Sequence, residues 1–122
     1  MIRGIVVAAF IASLLSFAPS PALAHSQLKK SVPAADATVA AGLTEIRLQF
    51  NEVVEPRISK VTVDLKGKPV ASEPAASDPN DKTTLVVRFA QPLQAGSYKV
   101  NWQAVSADTH KVKGSFSFQV AP

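Results

Sequence analysis

The chain has no cysteine, and its single methionine is the initiator Met1. Without cysteine it cannot be a disulfide-stapled scaffold and has no disulfide partners, so its stability must come from apolar burial. Tryptophan and tyrosine occur once each. No basic helix and no basic run interleaved with aromatics is present. The formal charge of +4 comes from lysines scattered among acids, which describes a solvated surface and argues against nucleic acid as a partner. Internal repeats are absent, and no stretch carries convincing helix caps.

The one long apolar run stands at the start. Arg3 supplies a positive n-region, residues 5–17 an apolar h-region, and Ala22-Leu23-Ala24 a small-x-small cleavage site. The run is shorter than the roughly 20 residues a spanning helix needs and ends at Pro19 and Pro21. Residues 1–24 are therefore expected to be a secretory signal peptide cleaved after Ala24, leaving one exported domain, residues 25–122. His25 becomes the first residue, and loss of Met1 leaves a protein without sulfur. Any metal it holds must be held by nitrogen and oxygen.

The mature stretch reads as short strands. Residues 28–32 form a weak candidate closed by Pro33. Residues 45–50 alternate polar and apolar, with Ile46, Leu48 and Phe50 facing a core. Residues 60–65 repeat the alternation, and Lys66-Gly67-Lys68-Pro69 turns into a short strand around Val70. Residues 71–82, with Pro74 and Pro79 among small polar residues, are expected to be a loop. Residues 84–89 are a fifth strand. Tyr98, Val100 and Trp102 share one face of a sixth, and Tyr98 is either a tyrosine corner or simply a strand tyrosine. Phe116, Phe118 and Val120 face inward from a seventh. The expected fold is all-β, a seven-stranded antiparallel Greek-key sandwich or barrel, immunoglobulin-like. Alternating strand directions place His25, Glu52 and Asp108-Thr109-His110 at one end of it.

That convergence suggests a metal site. Residues two apart in an extended segment point the same way, so Asp108 and His110 can present a carboxylate and an imidazole together. A chain-terminal histidine can add its α-amine and its Nδ1. Three nitrogens and a carboxylate oxygen suit Cu(II). Glu52 can serve as a further oxygen or as an acceptor orienting an imidazole. Each residue also has a plain reading: a histidine near a terminus, an Asp-centred turn, a solvated glutamate, and Trp102 as a core ring.

At Phe50-Asn51-Glu52, Ala95-Gly96-Ser97-Tyr98-Lys99-Val100 and above all Trp102-Gln103-Ala104-Val105-Ser106-Ala107-Asp108-Thr109-His110 followed by Gly114-Ser115, the chain resembles the CopC family of periplasmic copper-resistance proteins. The resemblance runs along essentially the whole mature chain. It implies a Greek-key β fold, cupredoxin-like in outline, and a Cu(II) site carried here onto His25, Asp108 and His110, with Glu52 accompanying it in some members. Some members hold Cu(I) on a methionine-rich loop, but residues 66–82 contain no methionine. One Cu(II) per chain and no dedicated Cu(I) site are expected. The function implied is a non-catalytic copper carrier or buffer in copper resistance, delivering toward an inner-membrane transport protein of the CopD type. The alternative is a copper-dependent oxidative enzyme with a histidine brace. Against it stand Asp108, which would fill a coordination position, and the lack of long loops for a polysaccharide.

Overall fold

The computed structural model describes Gly4 and residues 27–122. The rest of the expected signal segment, and His25, lie outside the described residues. Nine strands follow in order: β1 (Leu28–Val32), β2 (Thr38–Val39), β3 (Glu45–Phe50), β4 (Lys60–Leu65), β5 (Lys68–Pro69), β6 (Ala76–Asp78), β7 (Asp81–Arg88), β8 (Gly96–Val105) and β9 (Lys111–Val120). One sheet has the order β1-β3-β7-β6 and the other β2-β9-β8-β4-β5. No helix among the described residues is long and apolar enough to cross a membrane.

The period-two pattern of the sequence becomes the interior. Ile46, Leu48 and Phe50 of β3 and Leu85 and Val87 of β7 face Val63 of β4, Tyr98 and Val100 of β8 and Phe116, Phe118 and Val120 of β9, and all are buried. The two sheets thus pack through alternating inner faces, as in an aligned sandwich. The long β8–β9 ladder, from Gly96↔Val120 to Val105↔Lys111, is the backbone of the second sheet. Tyr98 is a tyrosine corner: its hydroxyl donates to the carbonyl of Gln94 at 2.6 Å while its ring stacks on Phe118 at 5.3 Å.

Two short strands appear where the sequence offers no alternation. β2 lies in the alanine-rich connection after β1 and pairs with β9 in parallel, the one non-antiparallel pairing in the described sheets. β6 lies inside the expected 71–82 loop, and Asp81 and Lys82 already belong to β7. Both are set by the neighbouring strand's ladder and not by their own composition. The expected short strand near Val70 falls on Lys68–Pro69, joined to β4 by Lys66-Gly67 with both residues at positive φ (51° and 79°). That is the twist-matched two-residue hairpin turn, and it explains the glycine.

Candidate metal centre

The end of β8 and the start of β9 are joined by residues 106–110. Ser106 donates its backbone N–H to the carbonyl of His110 at 2.9 Å, and Thr109 donates its own to the carbonyl of Ser106 at 2.9 Å. Thr109 sits at φ +70°. A three-residue connection with a turn hydrogen bond followed by a left-handed residue is a recognised hairpin closure, and glycine is the usual occupant of the last position. A β-branched residue there carries a conformational cost of about 1–3 kcal/mol, a kind of strain that concentrates at functional sites.

This turn brings Asp108 and His110 together. The His110 Nδ1 lies 2.9 Å from Asp108 Oδ2. Strand alternation was the sequence argument for their meeting, but the structure achieves it by the left-handed step at Thr109. The other carboxylate oxygen, Oδ1, accepts a hydrogen bond from the Ser106 hydroxyl and lies 3.4 Å from the His110 backbone nitrogen. The hydroxyl of Ser106 and then the ring of His110 hold the exposed Asp108 carboxyl down at about 2. Asp108 is therefore ionised at neutral pH, and a carboxylate can only accept, so the Nδ1 of a neutral His110 ring carries the proton.

Both side chains are open to solvent, His110 54% and Asp108 56% exposed. Bonds of about 2.0–2.2 Å from a first-row metal to imidazole and carboxylate, meeting at a right angle, separate the two donor atoms by about 2.9 Å. The observed spacing is similar, but it is that of a hydrogen bond, so binding of one ion through Nδ1 and Oδ2 requires the Nδ1 proton to leave first. Among the described residues, no three His, Asp or Glu side chains come together as a metal-binding group. Of the candidate ligands, the described residues bring together this pair.

The start of β1 and the segment after β3 meet this turn at one end of the sandwich, while His25 lies outside the described residues. Leu28 pairs with Phe50, and just before it Gln27 and Asn51 grip each other: the Gln27 N–H donates to Asn51 Oδ1 at 2.7 Å and the Asn51 N–H to the Gln27 carbonyl at 3.1 Å. The segment after Asn51 then crosses to the other sheet. Val54 bridges Ser106, the Ala107 N–H donates to the Val53 carbonyl at 3.1 Å, and the Glu55 N–H donates to the Val105 carbonyl at 2.9 Å. Half-buried Glu52 sits on this strap, between the residue that holds Gln27 and the residue that holds Ala107. Trp102 is half-buried and packs against the core, its ring edge-on to Phe50 at 5.2 Å. Ser106, only 1% exposed, was quoted in the sequence only as part of a motif, and its hydroxyl is the contact that sequence reasoning missed.

A model of the CopC domain matches residues 28–121. The chain belongs to the CopC family. A relative from Escherichia coli, Copper resistance protein C, is 38% identical over 108 residues, spanning 81% of this chain and 83% of that one. Among solved structures, CopC from Methylosinus trichosporium OB3b superposes with a TM-score of 0.74 at 33% identity, covering 80% of this chain and 95% of that one. PcoC from Escherichia coli, described as a methionine-rich copper resistance protein, superposes with a TM-score of 0.72 at 39% identity, covering 80% and 99%. Membership in the CopC family accounts for the two-sheet sandwich.

Proposed function

We propose that this chain is an exported, non-catalytic copper-binding protein of copper resistance, holding one Cu(II) through His25, Asp108 and His110 and acting as a periplasmic carrier or buffer. The observation that carries the reading is the turn that holds the imidazole of His110 and the carboxylate of Asp108 side by side, Nδ1 2.9 Å from Oδ2, with the proton between them to be released when both bind one ion. Family membership supports copper as the cargo. The remaining donors come from His25. Gln27 is anchored against Asn51, the residue before Glu52, at the end of the sandwich that carries the turn. With cleavage after Ala24, the α-amine and imidazole of His25 complete three nitrogens and an oxygen. Glu52 serves as a supporting carboxylate at the same end. Copper passed onward goes to an inner-membrane transport protein of the CopD type.

Sulfur decides the oxidation state. PcoC is described as methionine-rich, whereas the only methionine here is Met1. Nitrogen and oxygen donors favour Cu(II), and Cu(I) is expected to bind far more weakly. The test is copper competition with optical and EPR spectra on three variants: His110→Ala, Asp108→Ala, and a mature chain extended by one alanine before His25. The extension should weaken binding by orders of magnitude. His110→Ala should cost more affinity than Asp108→Ala and move the d–d band further to lower energy. Wild-type binding in all three would refute the site.

A further inference from the structure

The Asp108 carboxylate is exposed on a turn, yet it is not free to rotate. One oxygen meets the His110 ring, and the other is taken by the hydroxyl of Ser106, a side chain rooted in the interior at 1% exposure. We propose that Ser106 is the positioning residue of the copper site: its hydroxyl fixes the rotation of the Asp108 carboxylate so that Oδ2 stands beside His110 Nδ1 before the metal arrives. This inference rests on the copper reading of the same turn.

The geometry separates this role from simple loop closure. Ser106 closes the turn with its backbone, through its N–H to His110, its carbonyl from Thr109, and its bridge to Val54. None of these contacts uses the hydroxyl. The hydroxyl has one proton to donate, and its alternative acceptor, the His110 carbonyl, is 3.4 Å away and already bonded to the Ser106 N–H. The hydroxyl is therefore committed to Asp108. The neighbouring Thr109 hydroxyl does not duplicate it, since it donates to the Asp108 backbone carbonyl at 2.6 Å. Removing the Ser106 hydroxyl leaves the turn closed and the carboxylate held by exposed His110 alone, without its anchor in the interior. A ligand that must be ordered on binding costs affinity, and partners that orient metal ligands are typically worth roughly 10–100-fold in metal affinity.

The experiment compares Cu(II) affinity and EPR spectra of Ser106→Ala, Ser106→Thr, Asp108→Ala and the Ser106→Ala/Asp108→Ala pair. Ser106→Ala should lose about tenfold or more in affinity and shift the EPR parameters toward those of Asp108→Ala. Ser106→Thr, which keeps the hydroxyl, should restore both. In the Asp108→Ala background, Ser106→Ala should add nothing, because the hydroxyl acts through that carboxylate. Wild-type affinity and spectrum in Ser106→Ala overturn the proposal, as does an equal loss in Ser106→Thr or a full additive loss in the pair. Wild-type copper binding by Asp108→Ala and His110→Ala would instead sink the copper site itself, so the two failures are distinguishable.

Discussion

Gly114 is the residue whose replacement most directly tests the packing beneath the site. It lies opposite Trp102 in the β8–β9 ladder, and a Cβ added there would stand 2.6 Å from Cζ2 and 2.9 Å from Cε2 of the indole. Both strands are locked by the ten residue pairs of that ladder, so the backbone cannot retreat and the ring must. The ring in turn packs on Phe50 at 5.2 Å. Overpacking of this kind costs about 1–3 kcal/mol, against which replacing a strand glycine by alanine returns roughly 0.5–1 kcal/mol of chain entropy. Gly114→Ala should therefore lose about 1–2 kcal/mol, a drop on the order of 10 °C in Tm for a domain of this size. Trp102 is the only tryptophan, so its emission reports the displacement without ambiguity. Its Nε1 is buried with no hydrogen-bond partner among the described residues, and a displaced ring gaining water there should emit further to the red. Urea and thermal unfolding of the copper-free protein measure the loss. Trp102→Phe in the Gly114→Ala background should relieve the clash and show a favourable coupling. A Gly114→Ala protein with unchanged Tm and emission would refute the account of why this position is glycine.

The other expectations are narrower. Tyr98→Phe keeps the stack on Phe118 but loses the 2.6 Å hydrogen bond to Gln94, and should cost about 1 kcal/mol in urea unfolding; no measurable loss would remove the tyrosine corner as a stabilising contact. Asp108 and Asp81 both titrate at about 2, Asp81 chiefly because the Thr83 and Thr84 hydroxyls bond its carboxylate. Their unfolded value is near 3.9, so their contribution is present above about pH 4 and is lost as pH falls through about 2. Carboxyl carbon NMR should give those low midpoints, and Ser106→Ala should raise that of Asp108; a midpoint near 4 in the native protein would contradict the observed hydrogen bonds. Thr109→Gly relieves the φ +70° cost while loosening the unfolded chain, for a net gain between zero and about 1 kcal/mol; a clear loss of stability would show that the threonine side chain holds the turn.

Much of the sandwich could be read from residue order alone, because burial of one sheet face imposes a period of two that survives in the sequence. Ile46, Leu48 and Phe50 alternate with Glu45, Arg47 and Gln49 for that reason, as do Phe116, Phe118 and Val120 with their serine and glutamine neighbours. The scarcity of sulfur, with no cysteine and Met1 as the single methionine, was likewise legible without coordinates. The pairing of Asp108 with His110 was legible as a spacing, but its cause was not. Alternation along a strand would have sufficed only if the segment were extended, and the backbone there is instead a closed turn with a left-handed threonine.

What the tertiary structure alone decided are contacts between residues whose partners lie far along the chain or whose role depends on a rotamer. β2 and β6 exist because β9 and β7 offer them a ladder, and their own residues, Thr38-Val39 and Ala76-Ser77-Asp78, carry no pattern that distinguishes them from loop. The grip of Gln27 on Asn51 and the strap from Val53 to Ala107 assemble one end of the sandwich from three separated segments. Ser106 is the clearest case. In sequence it is one serine among many, and only its burial and the direction of its hydroxyl distinguish it. Periodicity records which face of an element avoids water. It carries no record of the long-range hydrogen bonds that orient a carboxylate, because those depend on where the chain returns in space.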